Sequence, residues 1–210
     1  MKMTKIFTVL SFVFFLQEQI FANSRIPGQI SFSIGSISSS FSENPDKLQS
    51  TDGTQSSAVS AYSGTSSSIP LDICYEYFPN LKRSYFARAS GPIFASTSDR
   101  YFSGTFGLNF YFVEVGAQTK VSDFNFEMKI TPKIRYYAGP SIGIGYLVYS
   151  TKSATKNDMM FEVGGQAGLI YTLNEKWSLH GELGAARAIG VLVSSTVIKI
   201  LLGTTYSIGL

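Results

Sequence analysis

The stretch from Pro132 to Tyr149 reads PKIRYYAGPSIGIGYLVY, and its side chains alternate in character with a period of two. Successive side chains of a β-strand point to opposite faces, so this alternation predicts a strand with one apolar face and one small or polar face. Helical spacing does not fit the pattern, and the glycines would weaken a helix. The apolar face holds Ile134, Tyr136, Ala138, Ile142, Ile144, Tyr146 and Val148, and the other face holds Arg135, Tyr137, Gly139, Ser141, Gly143 and Gly145.

The same alternation recurs in eight segments, each about as long as a tilted strand needs to be to cross a bilayer. Short turns at 78–82 and 174–176 alternate with longer polar links at Ser38–Ser67 and Ser150–Asp158. This arrangement predicts an all-β fold, a transmembrane antiparallel up-and-down β-barrel of eight strands. The predicted strands are Gln29–Ile37, Ser68–Tyr77, Arg83–Ala95, Tyr101–Phe112, Lys133–Tyr149, Met159–Leu173, Trp177–Ala188 and Thr196–Leu210.

Two links depart from this alternation of short turns and longer loops. Ser96–Arg100 is short on the side that should carry loops, and Val113–Thr131 is long on the side that should carry turns. The long link alternates Phe124, Phe126 and Met128, which is typical of a further hairpin or of a strand extension. A barrel of ten strands therefore stays open at this point.

The first 22 residues have the pattern of a signal peptide. Lys2 and Lys5 precede an apolar run, Ile6–Leu16, that is too short to span a bilayer. Ile20 and Ala22 then occupy the −3 and −1 positions of a cleavage site. We expect residues 1–22 to be a leader for export and residues 23–210 to form one barrel domain.

Composition narrows the classes of function. Charged residues make up 15% of the 210-residue chain, and the formal charge of +3 is scattered, which excludes the basic footprint of a nucleic-acid-binding protein. One cysteine, Cys74, allows neither an intrachain disulfide nor a cysteine-based zinc site. No cofactor and no metal site is expected.

The alternation alone does not decide which face meets water. A soluble barrel that holds an apolar ligand would need many charges outside, whereas here the polar face is mostly small, which suits a narrow lumen. Aromatic residues near both strand ends also favour a membrane barrel with its apolar face outward. At the short-turn end these are Tyr75, Tyr77, Phe110, Phe112, Tyr136, Tyr171, Trp177 and Tyr206, and at the loop end Phe102, Tyr146 and Phe161. A soluble periplasmic barrel remains the alternative.

The last predicted strand, Thr196–Leu210, carries apolar residues on one face up to the final position, ending with Tyr206, Ile208 and Leu210. It resembles the C-terminal insertion signal of outer-membrane barrels, although such signals usually end in Phe. With the leader and the eight strands, the whole mature chain resembles the small barrels related to the OmpA transmembrane domain, OmpX and OmpW. This resemblance implies the outer membrane as location, outer-membrane lipid and the barrel-assembly machinery as partners, and a monomer.

Strand parity places eight ionisable residues inside the barrel. Pairs of opposite charge would offset the cost of burying charges in a narrow lumen, and two such pairs are expected. A turn centred on Pro79–Asn80 places Asp72 opposite Arg88, and one centred near Gly190 places Glu182 opposite Lys199. The predicted lumen residues are Asp72, Glu76, Arg88, Arg135, Glu162, His180, Glu182 and Lys199.

His180 is the only histidine, and Glu182 shares its face. With Ser178 these residues could form a hydrolytic triad, but residues two apart on a strand are about 7 Å apart, beyond hydrogen-bond reach. No motif of the lipid-A deacylase or palmitoyltransferase barrels is found. The sequence therefore predicts no enzyme, and the polar cluster is interpreted as a closed core of paired charges.

The Ser38–Ser68 segment holds 12 serines in 31 residues, which predicts an exposed extracellular loop. Three hypotheses of function follow. The first is a closed barrel with a structural or surface-interaction role through its loops. The second, implied by the OmpW resemblance, is a narrow channel for small or apolar solutes. The third is an enzyme acting on outer-leaflet lipid.

Overall fold

The computed structural model describes residues 28–44, 62–80, 82–95, 98–112, 119–123, 126–130, 133–151 and 154–208. The predicted leader, residues 1–22, and the last residue of the predicted insertion signal, Leu210, lie outside these ranges. The strands are β1 (Gly28–Glu43), β2 (Ser63–Asn80), β3 (Arg83–Ala95), β4 (Arg100–Tyr111), β5 (Thr119–Asp123), β6 (Phe126–Ile130), β7 (Ile134–Ser150), β8 (Thr155–Thr172), β9 (Trp177–Gly190) and β10 (Val193–Ile208). Among the described residues, no helix is long and apolar enough to cross a membrane.

Eight of these strands close into a barrel in the order β1-β10-β9-β8-β7-β4-β3-β2, and every neighbouring pair is antiparallel. Pairing between β1 and β10 removes the free sheet edges, so the strand backbones are hydrogen-bonded within the wall. The predicted all-β, up-and-down architecture is confirmed.

The strands are strongly tilted against the barrel axis. Stepping from partner to partner around the barrel, starting at Ser40 on β1, returns to β1 at Ile30, ten residues before the starting point. Closing a sheet with such a stagger requires tilt, and eight strands leave an interior only wide enough for side chains to fill.

β5 and β6 pair only with each other, as a two-stranded sheet separate from the barrel. They lie in the link Val113–Thr131, for which the sequence allows either a hairpin or a strand extension. The hairpin interpretation is correct, and the barrel keeps eight strands rather than ten. Phe124 lies outside the described residues.

The outer wall carries a belt of exposed apolar side chains. Ile142 on β7 is 55% exposed, Phe161 on β8 55% and Leu202 on β10 65%, whereas inward residues such as Arg135 are almost fully buried. The predicted assignment of the apolar face to the outside of β7 and β8 is therefore confirmed. A surface this apolar is stable in lipid and would be a liability in water.

Strands β1 and β2 are longer at their loop ends than predicted. Ser38–Ser42 of β1 pairs with both β2 and β10, and β2 already begins at Ser63. The prediction of one loop over Ser38–Ser68 is therefore wrong at both ends. In this part of β1 the outward residues are Ser38, Ser40 and Ser42, whereas Ile37 and Phe41 point inward. The outward face therefore has no apolar pattern by which a lipid-facing strand could be predicted.

Candidate functional site: the barrel lumen

Alternation along the strands places all eight predicted lumen residues in the interior. Each of them is buried, and Asp72 has no exposed surface at all. Of the buried carboxylates, four (Asp72, Glu76, Glu162 and Glu182) lie among the cationic side chains of Arg88, Arg135 and Lys199. A narrow lumen with opposite charges at this density is held together by ion pairs and hydrogen bonds.

Arg88 lies at the centre of the lumen and binds two carboxylates. Its guanidinium faces Glu182 in a bidentate ion pair, with Nη2 2.6 Å from Oε2, and its Nε lies 3.4 Å from Asp72 Oδ1. Arg88 Nη1 also donates to Gln166 Oε1 at 3.0 Å, and Tyr137 OH donates to Glu182 Oε2 at 2.6 Å. A planar guanidinium is suited to this fork geometry.

The two predicted charge pairs rest on registers that are wrong by two residues. Arg88 is paired across the sheet with Cys74, because the last pair before the β2–β3 turn is Asn80 with Arg83. Arg88 nevertheless reaches Asp72 diagonally. Glu182 is paired with Leu201, because the β9–β10 turn falls at residues 191–192. Glu182 binds Arg88 from across the lumen, and its predicted contact with Lys199 is not formed.

Lys199 instead lies nearer the loop end of the lumen. Its Nζ donates to Ser103 Oγ at 2.8 Å and is 4.0 Å from Glu162 Oε2. The other oxygen of Glu162 accepts a hydrogen bond from Tyr101 OH. This group forms a second charged layer above Arg88.

Glu76 organises the layer nearest the short turns. It accepts hydrogen bonds from four side chains, and the one from Asn109 Nδ2 is 2.8 Å long. Gln166 Nε2 donates to Asn109 Oδ1 at 2.9 Å, which links this layer to Arg88. Arg135 donates to Gln29 Oε1 at 3.4 Å and to Ser178 Oγ at 3.5 Å. The four donors to Glu76 are Gln29, Ser84, Asn109 and Tyr111.

The geometry around His180 does not form the triad considered from the sequence. His180 Nε2 lies 2.8 Å from Ser33 Oγ, and its Nδ1 lies 3.1 Å from Thr205 Oγ1. Its neighbour Glu182 is bound to Arg88, and Ser178 lies against Arg135. The ring is therefore oriented by hydroxyls on two strands, β1 and β10. No group of three or more His, Cys, Asp or Glu side chains in the described part of the chain could hold a metal ion.

An apolar plug closes the lumen above these layers, toward the loop end. We define the plug as a cluster of nine buried side chains from six strands. Above it, Glu43 accepts hydrogen bonds from Tyr149 OH at 2.9 Å and Lys156 Nζ at 2.8 Å, which ties β1 to β7 and β8. The plug residues are Ile37, Phe41, Tyr101, Leu147, Tyr149, Met160, Ala188, Val193 and Val197.

A small cavity lies between the charged layers. Its volume is about 20 Å³, and Arg88, Glu162 and Lys199 line it. A cavity needs a volume of roughly 10–15 Å³ to hold one water molecule, so this cavity has room for about one.

Sequence reasoning missed the tyrosines and amides of the lumen as functional partners. Tyr101, Tyr111 and Tyr137 each bind a buried carboxylate, and Gln166 connects two layers. The sequence does contain the information, because strand alternation places these tyrosines on the inward face, whereas the tyrosines near the strand ends that were assigned to the membrane–water interface lie on the outward face. Of the predicted insertion signal, the Tyr206 ring centroid lies 5.0 Å from that of Trp177, and Ile208 pairs with Gly28.

The closed sheet, the apolar belt and the polar lumen decide the architecture. The fold is that of a small transmembrane β-barrel. Solved structures with a similar fold include neisserial surface protein A (10% identity, TM-score 0.49, covering 87% of this chain and 97% of that one). A second is the attachment invasion locus protein Ail of Yersinia pestis (16% identity, TM-score 0.43, covering 86% of this chain and 98% of that one). A third is the N-terminal β-barrel domain of Pseudomonas aeruginosa OprF (11% identity, TM-score 0.45, covering 83% of this chain and 96% of that one). No protein-family model and no curated protein sequence matches the chain.

Proposed function

We propose that this chain is an outer-membrane barrel with a closed lumen, and that it serves a structural or surface-interaction role through its extracellular edge. The observation that carries the proposal is the filled interior. Three polar layers joined by Arg88 and Glu76 lie below an apolar plug, and a cavity beside Arg88, Glu162 and Lys199 has room for about one water. Solute flow would require both the ion pairs and the plug to separate.

Recognition is assigned to the extracellular edge because loops on a rigid scaffold are free to vary without loss of the fold. The link between β1 and β2 is the main candidate, since residues 45–61 contain serine, glycine and few large apolar side chains.

The proposal includes no catalysis. His180 lies between Ser33 and Thr205, and the nearest carboxylate on its strand, Glu182, is held by Arg88. A serine and a histidine without a third, orienting carboxylate form an incomplete hydrolytic site. Lipid A from cells that express the protein should keep its mass. A mass shift that disappears in His180→Ala would contradict this part of the proposal.

Strand β10 supports two proposed interactions. Its outward residues Ile198, Ile200 and Leu202 are exposed and would contact membrane lipid. Its C-terminal end would be the segment that the barrel-assembly machinery recognises. We expect a monomer, because closure leaves no strand edge for a second copy, and no nucleic-acid partner.

Single-channel recording in a planar lipid bilayer tests the closed lumen. We expect the wild-type barrel to give no steady current after insertion. A heat-dependent gel shift of the same preparation verifies that the protein is folded. A variant with Leu147→Ala and Met160→Ala thins the plug and should give occasional openings. Stable current steps from the wild-type protein would contradict the proposal and favour a narrow channel.

A further inference from the structure

The outer wall changes character near the loop ends of β1, β2 and β10. Apolar side chains give way there to hydroxyl-bearing ones, which form what we call the hydroxyl face. The change occurs within single strands: on β1, exposed Phe32 and Ile34 are followed by outward serines, and on β10 exposed Ile198 is preceded by Thr196. The hydroxyl face consists of Ser36, Ser38, Ser40, Ser42, Ser63, Thr65, Ser67, Ser194 and Thr196.

Arg187 on β9 borders this face and points outward. Its Nη1 donates to Thr196 Oγ1 at 2.9 Å, and its Nη2 donates to Ser194 Oγ at 3.1 Å. Among the described residues its partners are these hydroxyls and no carboxylate. A guanidinium has five N–H donors in a fixed fork, so Arg187 is oriented along the wall with donors left for an anion.

A shallow, wide-open groove of about 550 Å³ lies over Arg187 and the neighbouring part of the hydroxyl face. The hydroxyls of Ser40, Ser42, Thr65 and Thr196 line it, together with the guanidinium. Hydroxyl side chains both donate and accept hydrogen bonds, which suits a ligand that itself carries many hydroxyls.

The opposite border of Arg187 is apolar. Val163 of β8 is its cross-strand partner, and the neighbouring pair on the same face is Phe161 with Ile189. All three side chains are exposed. Phe161 is one of the aromatics predicted at the loop end, where aromatic rings mark the membrane–water interface. Arg187 therefore lies at the boundary between the apolar belt and the hydroxyl face, where a charge on a barrel wall is tolerated best.

We propose that this groove binds the phosphorylated sugar headgroup of an outer-leaflet glycolipid. Arg187 contacts a phosphate, the hydroxyl face contacts the sugar ring, and Val163 and Ile198 contact the first acyl carbons. A soluble glycan would leave these apolar side chains uncovered, whereas a lipid of this kind matches both borders of Arg187. The inference rests on the membrane placement in the proposed function and adds a specific lipid class to it.

Native mass spectrometry of the detergent-solubilised protein tests this assignment, with lipid A, dephosphorylated lipid A and phosphatidylglycerol as probes. We expect lipid A to bind most tightly. Arg187→Gln should weaken its binding about tenfold, because the charge-assisted contact to phosphate is lost. The same substitution should leave the binding of dephosphorylated lipid A unchanged. Arg100→Gln is the matched control, since Arg100 is an exposed arginine at the loop end of β4, and it should bind lipid A as the wild type does.

A second variant, Ser40→Val with Thr196→Val, removes hydroxyls without changing charge and should weaken the binding of both forms of lipid A. Equal binding of lipid A by Arg187→Gln and wild type would overturn the proposal, as would equally tight binding of phosphatidylglycerol. Because binding in detergent does not depend on conductance, a barrel that conducts but prefers lipid A refutes only the closed lumen. A barrel that gives no current and does not prefer lipid A refutes only the glycolipid site.

Discussion

Arg88 on β3 lies between Asp72 on β2 and Glu182 on β9, so one side chain neutralises two carboxylates on different sides of the lumen. Arg88→Met would leave both carboxylates buried without a counter-charge. We expect it to lower the free energy of unfolding by about 3–5 kcal/mol. Urea unfolding in lipid vesicles, followed by fluorescence of the single tryptophan, Trp177, measures this.

Two further variants make this prediction specific. Arg100→Met removes an exposed arginine and should change the free energy of unfolding by no more than about 0.5 kcal/mol. Adding Glu182→Gln to Arg88→Met should recover part of the lost free energy of unfolding, because it removes one of the two carboxylates left without a counter-charge. An Arg88→Met protein as stable as the wild type would show that the central ion pairs do not hold the lumen together.

Gly139 on β7 is a position where the neighbouring strand approaches too closely for a side chain. A Cβ there would lie 1.6 Å from the backbone oxygen of Leu108, so the wall itself would have to move. We expect Gly139→Ala to cost about 1–3 kcal/mol in the same unfolding assay. Gly104→Ala is the control, since its Cβ would meet no atom within 4 Å, and it should be nearly neutral. Equal effects of the two substitutions would show that the close approach at Gly139 carries no special cost.

Single-residue predictions from sequence succeeded for direction and for the Asp72–Arg88 ion pair, and failed for the partner of Glu182. Parity along each strand is enough to place Asp72, Glu182 and Lys199 inside, because side chains alternate strictly. Their contacts depend on turn positions and on reach across the lumen. Arg88 and Glu182 lie on strands that are not neighbours in the sheet, so no pairing register between adjacent strands could predict their contact.

Strands β1 and β10 change their pattern along their length. In the belt, apolar residues of β1 point outward, as Ile34 does, whereas nearer the loop end Ile37 and Phe41 point inward and serines point outward. The reason is the medium outside the wall: lipid favours apolar side chains there, and water favours polar ones. The loop ends thus follow the apolar-inside pattern of a soluble barrel, which is why a search for lipid-facing strands did not predict the plug.

The serine-rich ends of β1 and β2 should therefore behave as sheet in solution. Ser38–Ser42 is paired with both β2 and β10, so its amides should be protected from hydrogen exchange. Exchange measured by mass spectrometry on the folded protein checks this, with the β7 segment Ile142–Leu147 as the protected reference. Exchange of Ser38–Ser42 at the rate of an unfolded peptide would contradict the extended strands and favour the loop that the serine content predicts.

At the scale of the whole molecule, the sequence predicted a barrel because eight alternating segments can satisfy their backbones in lipid only by closing. Strand order and closure followed from the short turns. The stagger of ten residues did not, because it depends on local register and not on periodicity, and the alternation in the β5–β6 link allowed a hairpin without showing that it stays outside the barrel. Belt, charged layers and plug together describe a barrel with an apolar outer wall and with side chains packed across its lumen.

Gel mobility of the protein from purified outer membranes, with and without boiling in detergent, is the sharpest test of a closed membrane barrel. A barrel with every wall strand paired resists detergent until it is heated. We predict a band in the outer-membrane fraction that changes mobility on boiling. An unshifted protein recovered from the soluble periplasm would contradict the membrane barrel, because the apolar belt would then have to face inward.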